Sequence, residues 1–176
     1  MPSSSETRVD RELLFEFYLT FSRFEYALKA SGLFKRPNSK SIKKFKEKGV
    51  LPEAQPDLDR FAVSLRDRDA FHANRTQALK QACEYILNSP PMKQVIINDG
   101  VAWETTVRPT SETEVEFLLR MVRCIRNNLF HGGKYNIEVH EDTGRTEMLL
   151  RSSLVILEEC LALATHVKQA FDDAVI

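Results

Sequence analysis

The spacing of apolar residues favours helices over most of this chain. Apolar side chains return every three or four residues in a first segment, residues 10–31, and in a last segment, residues 145–174, which is the period of an amphipathic helix. The last segment carries a wide apolar stripe, typical of the central helix of a bundle: Leu149, Leu150, Leu154, Leu157, Leu161, Ala164, Val167 and Phe171. We therefore expect an all-α protein, an antiparallel helical bundle.

Two shorter helical patterns occupy the first half of the chain after a loop. Residues 49–56 contain two prolines and predict that loop, and helical spacing resumes at Asp57. It resumes again from Asn74, a residue type favoured as an N-cap, and ends at the Asn-Ser-Pro-Pro sequence of residues 88–91. These segments add two helices to the predicted bundle.

One short stretch has the pattern of strands. Residues 95–97 (Val-Ile-Ile) and 101–103 (Val-Ala-Trp) flank the turn dipeptide Asp99-Gly100, which predicts a β-hairpin. Two strands alone are only marginally stable, so we expect this hairpin to be an insertion that leans on the helices. Residues 134–144 form a connector that could be a second hairpin.

Length and composition predict one soluble globular domain over residues 1–176. The apolar share is 43% and the charged share is 28%, ordinary values for a domain with its own core. The net charge of zero gives no global field toward nucleic acid, which argues against a protein that coats DNA in bulk but not against a local RNA site. The chain begins without a signal-peptide pattern and has no apolar run near membrane-spanning length, so we expect a cytoplasmic protein without a membrane partner.

The cysteines and histidines do not form a recognisable metal-binding pattern. Cys83, Cys124 and Cys160 are an odd number without a C-x-x-C pair, so we expect reduced thiols rather than a disulfide or zinc framework. His140 and His166 lack the spacing of metal ligands, and the chain has neither a P-loop nor a dinucleotide fingerprint. We therefore expect no metal and no cofactor.

Residues 35–48 are strongly basic, with seven Lys or Arg against one Glu. They could form a basic arm that touches the RNA backbone, or a solvated and partly helical connector. The second interpretation is favoured, because a run of like charges is usually a solvated surface.

The helix predicted for residues 111–131 carries the most informative polar residues. Ser111 or Thr110 is its expected N-cap, and three glutamates at its start suit the positive end of a helix. On a helical wheel, one face is apolar and the opposite face is polar. The apolar face contains Val115, Leu118, Val122, Ile125 and Leu129, and the polar face contains Arg120, Arg123, Asn127 and His131. Arg126 falls on the flank of the apolar face, where a charge costs stability unless it is paired or reaches a cleft.

Arg126, Asn127 and His131 are the candidate catalytic residues. Arg holds phosphate with a fixed fork of donors and His carries a proton near neutral pH, so together they suit cleavage of a phosphodiester bond. Each alone is more often structural, as a helix cap or a surface ion pair. Their combination, followed by a double glycine, favours a function, and three further basic residues nearby are candidates for RNA binding: Arg120, Arg123 and Lys134.

Arg126 and His131 point about 140° apart on an ideal helix. They converge only if the helix unwinds before His131, which Gly132-Gly133 permits, or if a second subunit completes the site. A two-fold dimer would also supply both the general base and the general acid that attack by a 2′-hydroxyl requires. We therefore expect a homodimer.

Residues 123–134, with the sequence Arg-Cys-Ile-Arg-Asn-Asn-Leu-Phe-His-Gly-Gly-Lys, resemble the R-N-x-x-x-H motif region of the HEPN superfamily, in particular of its Apea-like and plasmid-borne members. Residues 21–29 are similar to the first helix of those proteins. The resemblance implies a helical bundle that dimerises through its motif helices. It also implies a metal-independent endoribonuclease that acts as a toxin or in phage defence or stress responses, with an antitoxin or regulatory protein as a further partner.

The same resemblance implies roles for the three candidate catalytic residues. Arg126 would hold the scissile phosphate, His131 would transfer protons, Asn127 would orient both, and the product would carry a cyclic phosphate. Two other interpretations stay open. A non-catalytic HEPN module would bind RNA, a nucleotide or a protein partner through the same cleft, whereas a purely structural dimer would bury Arg126 in an ion pair with no open cleft.

Overall fold

Helices account for most of the residues that the computed structural model describes, which are residues 9–66, 71, 75–130 and 143–174. The helices and strands in chain order are α1 (Arg11–Ala30), α2 (Ser39–Glu47), α3 (Leu58–Leu65), α4 (Gln77–Asn88), β1 (Lys93–Ile97), β2 (Gly100–Glu104), α5 (Glu114–Phe130), α6 (Thr143–Leu163) and α7 (Thr165–Asp172). The prediction of a mostly helical fold with a small hairpin is confirmed. Of the connector predicted for residues 134–144, all but the last two residues lie outside the described part. None of the described helices has the length and apolar character needed to cross a bilayer.

Side-chain and backbone chemistry explains where α1 begins and ends. The Asp10 carboxylate accepts a hydrogen bond from the backbone N–H of Glu12 at 2.9 Å, as an N-cap does. At the other end, Ser31 is the C-cap and Gly32 takes a φ of 77°, a left-handed conformation that glycine adopts without strain. The predicted bounds of this helix are confirmed.

The core forms where α1, α3, α4, α5, α6 and α7 meet. The α6 helix packs on α4 and α1, α3 packs on α5, and α7 returns onto α1. Phe24 of α1 and Phe61 of α3 are fully buried and meet edge to face, with ring centroids 5.2 Å apart, which is a favourable geometry for two rings. This contact fixes α1 relative to α3, and both helices border the candidate site.

The predicted starts of two helices are wrong by two or more residues. The cap of α5 is Thr113 rather than Ser111 or Thr110: its N–H donates to Glu116 at 2.8 Å, and its Oγ1 accepts from the Glu116 N–H at 3.4 Å. This capping box is favoured because Glu116 also binds Arg66 at 2.6 Å, a tertiary contact that the local sequence does not reveal.

The cap of α4 is Thr76, whose Oγ1 accepts a hydrogen bond from the Leu79 N–H at 3.1 Å. The helix therefore begins at Gln77, later than the predicted start at Asn74. Asn74 itself lies outside the described residues. The sequence alone does not distinguish the two candidates, because Thr and Asn are both favoured at the N-cap position.

The hairpin is present, with its turn one residue earlier than predicted. Ile97 pairs with Gly100, so the two loop residues are Asn98 and Asp99, with φ values of 48° and 63°. Two successive positive φ values define a type I′ turn, and Asn and Asp tolerate the left-handed region better than other residues with a Cβ. The predicted dipeptide Asp99-Gly100 is therefore wrong by one position, and Gly100 belongs to β2.

The helix predicted for residues 145–174 is divided into α6 and α7. The break is at Ala164, whose φ of −117° and ψ of 74° are not helical. The break lets α7 pack on α1, where Arg23 donates to the Phe171 carbonyl at 2.8 Å and lies 4.4 Å from the centre of its ring. The apolar residues keep their three- to four-residue spacing across this break, because α7 also packs one face on the bundle. The spacing alone therefore predicts one continuous helix.

The basic segment contains α2, capped by Asn38. None of the residues of α2 is buried, in agreement with a solvated and partly helical connector. Phe34 and Pro56 form an isolated β-bridge on either side of α2, and the Lys35 N–H bonds to the Gln55 carbonyl at 2.8 Å. These contacts bring Lys35 and the loop before α3 together.

Candidate functional site

The α5 helix carries the motif and is buried on more than one side. Four of the five residues predicted for its apolar face are fully buried, and Leu129 is partly buried. Phe117, Leu119 and Met121 are also buried, although the wheel places them away from that face. Contacts with α3, α4, α6 and β1 on different sides of α5 explain the difference. The polar residues of α5 therefore open onto clefts between these neighbours.

Arg126 is held by four neighbours. Its Nη2 donates to Oε2 of Glu25 at 3.2 Å, and its Nη1 donates to Oδ1 of Asn127 at 3.1 Å. The guanidinium carbon lies 5.6 Å from the ring centre of Phe21 and 5.5 Å from that of Phe130, within the range of a cation–π contact. The side chain is 28% exposed. The ion pair with Glu25 and the two aromatic rings compensate the cost of placing a charge on the flank of the apolar face.

A cleft of about 370 Å³ opens beside this group, and we call it the Arg126 cleft. It is formed by α1, the loop before α3, the start of α3, and α5. Its charged and amide residues are Glu25, Lys29, Lys35, Glu53, Gln55, Arg123, Arg126 and Asn127. Among the described lining residues, four cations face two carboxylates, and with Asp59 beside Arg123 the cations still outnumber the carboxylates, so this part of the cleft is basic although the chain as a whole has no net charge.

Three charged residues of the Arg126 cleft are missing from the sequence-based candidates: Glu25, Lys29 and Glu53. Lys35 belongs to the basic segment of residues 35–48, for which the sequence offers an RNA-contacting arm as one interpretation. Glu25 and Lys29 lie within residues 21–29, the block that resembles the first HEPN helix, and their i,i+4 spacing places them on one face of α1. That spacing is a signal that could have found them. Lys35 and Glu53 reach the cleft only through the contacts on either side of α2, which no local pattern predicts.

The two predicted RNA-binding arginines on α5 differ in how they are engaged. Arg120 makes a two-pronged contact with Glu112, with Nε and Nη2 each 2.7 Å from a carboxylate oxygen, and it also donates to the Val107 carbonyl. Its hydrogen bonds with Glu112 raise the pKa of Arg120 above its ordinary value. Within the described part of the chain, Arg123 makes a single ion pair, 2.9 Å from Nη1 to Oδ1 of Asp59, and that aspartate is largely exposed. Arg123 is therefore the more available of the two for a ligand.

A second cleft, of about 400 Å³, lies between β1 and α5, and we call it the hairpin cleft. Its residues come from both elements and from the loop after β2: Lys93, Gln94, Thr106, Arg120, Met121, Arg123, Cys124, Asn127 and Asn128. Asn128 donates to the Met92 carbonyl at 2.8 Å and Cys124 lies 3.5 Å from the same oxygen, so the start of β1 is attached to α5. Arg123 and Asn127 border both clefts.

The three thiols are poor nucleophiles. Burial raises the pKa of Cys83 to about 11, and burial also raises the pKa values of Cys124 and Cys160. Because the thiolate is the reactive form, none of them suits covalent catalysis. Within residues 9–66, 71, 75–130 and 143–174, no group of three or more His, Cys, Asp or Glu side chains could hold a metal ion.

The structure thus brings Arg126 and Asn127 into direct contact and adds Glu25 to them. His131 and Lys134, the remaining predicted site residues, lie outside the described residues. Comparison of the chain with family models, with curated proteins and with solved structures gives no match. The site must therefore be interpreted from its own chemistry.

Proposed function

We propose that the protein is a metal-independent endoribonuclease of the HEPN type, with an active site completed by a second copy of the chain. The observation that carries this proposal is the setting of Arg126. Its guanidinium is partly buried, oriented by Glu25 and Asn127, and placed at the wall of an open basic cleft. The guanidinium fork fits a phosphate as well as a carboxylate, and the open cleft gives a phosphate access to it.

The reaction that suits these residues is transesterification. The 2′-oxygen of one nucleotide bonds to the adjacent phosphorus, and the bond from that phosphorus to the 5′-oxygen of the next nucleotide breaks. The products are a 2′,3′-cyclic phosphate and a 5′-hydroxyl. A base takes the proton of the 2′-hydroxyl and an acid protonates the leaving oxygen; His131 is proposed for this proton transfer. Arg126 would stabilise the charge that develops on the phosphate oxygens.

The charges around the Arg126 cleft support a polyanionic ligand. Lys29, Lys35 and Arg123 surround Arg126 within one cleft. Their attraction acts at short range, because the neutral chain has no long-range positive field. This pattern favours a substrate that is recognised locally, as expected for an RNA strand cut at one position.

Exposed aromatic side chains on α1 and α5 support the homodimer. Phe15 is 62% exposed, and Tyr18 and Phe130, both about half exposed, pack on each other with ring centroids 5.3 Å apart. Phe130 in turn contacts Arg126. A two-fold contact would cover this apolar surface on both copies at once. It would also place the two motif helices close to each other.

A non-catalytic module that binds RNA through the same cleft is the second candidate. It uses the same basic cleft around Arg126 and needs no group that transfers protons. A purely structural role is less well supported, since it requires a closed site and the cleft beside Arg126 is open.

The proposal is tested by incubating purified protein with diverse RNAs in EDTA and by identifying the new ends. We expect cleavage with cyclic phosphate ends, abolished by His131→Ala and by Arg126→Ala. Arg60→Ala is the matched control, because Arg60 is an exposed helical arginine outside both clefts. An inert wild type, or a His131→Ala variant as active as wild type, would overturn the nuclease proposal. RNA binding without cleavage would support the second candidate.

The dimer is tested by light scattering. We expect a mass of twice the 20.2 kDa chain, and a Phe15→Ser variant should dissociate more readily and lose activity in parallel. Val101→Ser, which removes an exposed apolar side chain from the hairpin, should change neither. A wild-type mass equal to one chain at the concentration of the cleavage assay would contradict the shared site.

A further inference from the structure

The hairpin cleft has polar groups that the proposed chemistry leaves unused. Within the described residues, the Lys93 ammonium forms no ion pair, and it faces Cys124 closely enough for its charge to lower the pKa of that thiol against the larger effect of burial. Gln94 is half-buried beside it and its side-chain amide has no hydrogen-bond partner in the described part of the chain. The ammonium and the amide suit a ligand that carries both a negative charge and hydrogen-bond donors or acceptors.

The opposite wall of the hairpin cleft presents a fixed amide. The Asn128 Nδ2 group donates to the Met92 carbonyl at 2.8 Å, which sets the orientation of the side chain and leaves its Oδ1 without a partner among the described residues. Because the Cys124 thiol stays protonated, it adds no negative charge to the floor of the cleft. The cleft therefore combines the Lys93 ammonium, unpaired among the described residues, with the side-chain amides of Gln94 and Asn128, which can form hydrogen bonds with a nucleotide base.

The hairpin cleft adjoins the Arg126 cleft. Arg123 and Asn127 border both, and their i,i+4 spacing puts them on one face of α5. A strand with a phosphate at Arg126 thus meets the hairpin cleft as it crosses this face. The volume of about 400 Å³ lies within the range of small-molecule sites, and it suits one nucleotide rather than a folded protein segment.

We infer that the hairpin cleft binds one nucleotide of single-stranded RNA, next to the phosphate that Arg126 holds. Lys93 and Arg123 would bind its backbone phosphate, and Gln94 and Asn128 would hydrogen-bond to the edge of its base. Unpaired RNA is required, because in a duplex the Watson–Crick edge of each base is occupied by its pair and the major-groove edge lies in a deep, narrow groove that side chains cannot enter. This inference rests on the proposed function, since the neighbouring phosphate is the one to be cleaved.

The test measures binding separately from cleavage. A labelled single-stranded RNA of about eight nucleotides, with every 2′-hydroxyl methylated so that transesterification cannot begin, is titrated with the full chain, and anisotropy gives the affinity. Cleavage is measured separately on unmodified RNA. Lys93→Glu should weaken binding at least about fivefold, because it reverses a charge beside a phosphate. Lys93→Ala should lower the slope of log affinity against log salt by about one. Lys80→Glu, the same change on an exposed lysine of α4 outside both clefts, should leave the affinity unchanged.

Trp103 provides a second measurement. It is the single tryptophan of the chain and lies opposite Gln94 in the hairpin register, on the same face, so occupation of the cleft should change its fluorescence. Gln94→Ala should alter the preference among RNAs that differ at one base. Affinities equal to wild type in Lys93→Glu and Gln94→Ala, with unchanged Trp103 fluorescence, would overturn the inference even where RNA is cleaved. If binding depends on Lys93 but unmodified RNA is not cleaved, the result supports the nucleotide site and contradicts the nuclease proposal.

Discussion

Arg126 of α5 and Glu25 of α1 form an ion pair between residues 101 positions apart, with 3.2 Å from Nη2 to Oε2. Both side chains are about one-quarter exposed, and the Phe21 and Phe130 rings restrict the guanidinium further. The orientation of the proposed phosphate-binding group is thus set by another helix. Substitutions on α1 are therefore expected to change chemistry on α5.

Glu25→Ala is expected to lower kcat for RNA cleavage about tenfold, because a catalytic group that loses its orientation loses part of its effect. Glu25→Gln, which keeps an acceptor, should stay within about threefold of wild type. Steady-state kinetics would measure both, with Glu53→Gln as the control for removing a carboxylate from the same cleft. A kcat for Glu25→Ala equal to that of an active wild type would contradict the positioning role.

Arg126→Lys is expected to lower kcat/KM about 100-fold, since lysine keeps the charge but loses the planar fork. The free energy of unfolding should change by less than about 1 kcal/mol, because the ion pair that is lost is partly exposed. Cleavage assays and urea denaturation give the two numbers. Loss of activity accompanied by an equal loss of folded protein would instead indicate a structural arginine.

Glu116→Gln is expected to destabilise the protein by about 1 kcal/mol at pH 7, because glutamine keeps an acceptor for the capping box but loses the charge that strengthens the contacts with Thr113 and Arg66. Partial burial raises the pKa of Glu116, but hydrogen bonds from Thr113 and Arg66 outweigh it and lower the pKa from 4.5 to about 2. The stability from this carboxylate is therefore complete above pH 4.5 and is lost as the pH falls toward 2. Urea denaturation at several pH values should show the two proteins converging over that interval, and a difference that grows on acidification would contradict the assignment.

Asp99→Gly is expected to stabilise the hairpin by about 0.5 kcal/mol. The substitution gives the two-residue loop the Asn-Gly dipeptide that type I′ turns prefer, and it relieves the φ of 63° at this position. Asp99→Val should have the opposite effect, because a β-branched residue is disfavoured at positive φ. Thermal unfolding followed by Trp103 fluorescence would show both shifts, and a Tm that rises for Asp99→Val would refute the turn assignment.

The three cysteines are expected to react slowly with iodoacetamide in the native protein at about pH 8. Burial raises the pKa of each thiol, so little thiolate is present. Cys124, which is only partly buried, should react first, and all three should react in guanidinium chloride. Mass spectrometry after a time course would measure this, and rapid native labelling of Cys160 would contradict its complete burial.

The sequence predicts those features that depend on neighbours a few residues away. The Asp10 cap and the end of α1 are local, and so is the unusual flank position of Arg126, which correctly indicates a paired or cleft-bound charge. The partner of Arg126 is not predictable in this way, because Glu25 is brought to it by the packing of α1 on the rest of the bundle. The predicted cap of α5 is wrong for the same reason: Arg66, the residue that follows α3, binds Glu116 and so contributes to the choice of Thr113.

The β-bridge between Phe34 and Pro56 separates the α2 segment from the packing of the bundle. It closes the chain on both sides of α2, none of whose residues is buried, so the bundle does not depend on α2 for its core. The entropy of closing such a loop varies only slowly with its length. Changes in the length or charge of α2 should therefore leave Lys35 in the Arg126 cleft.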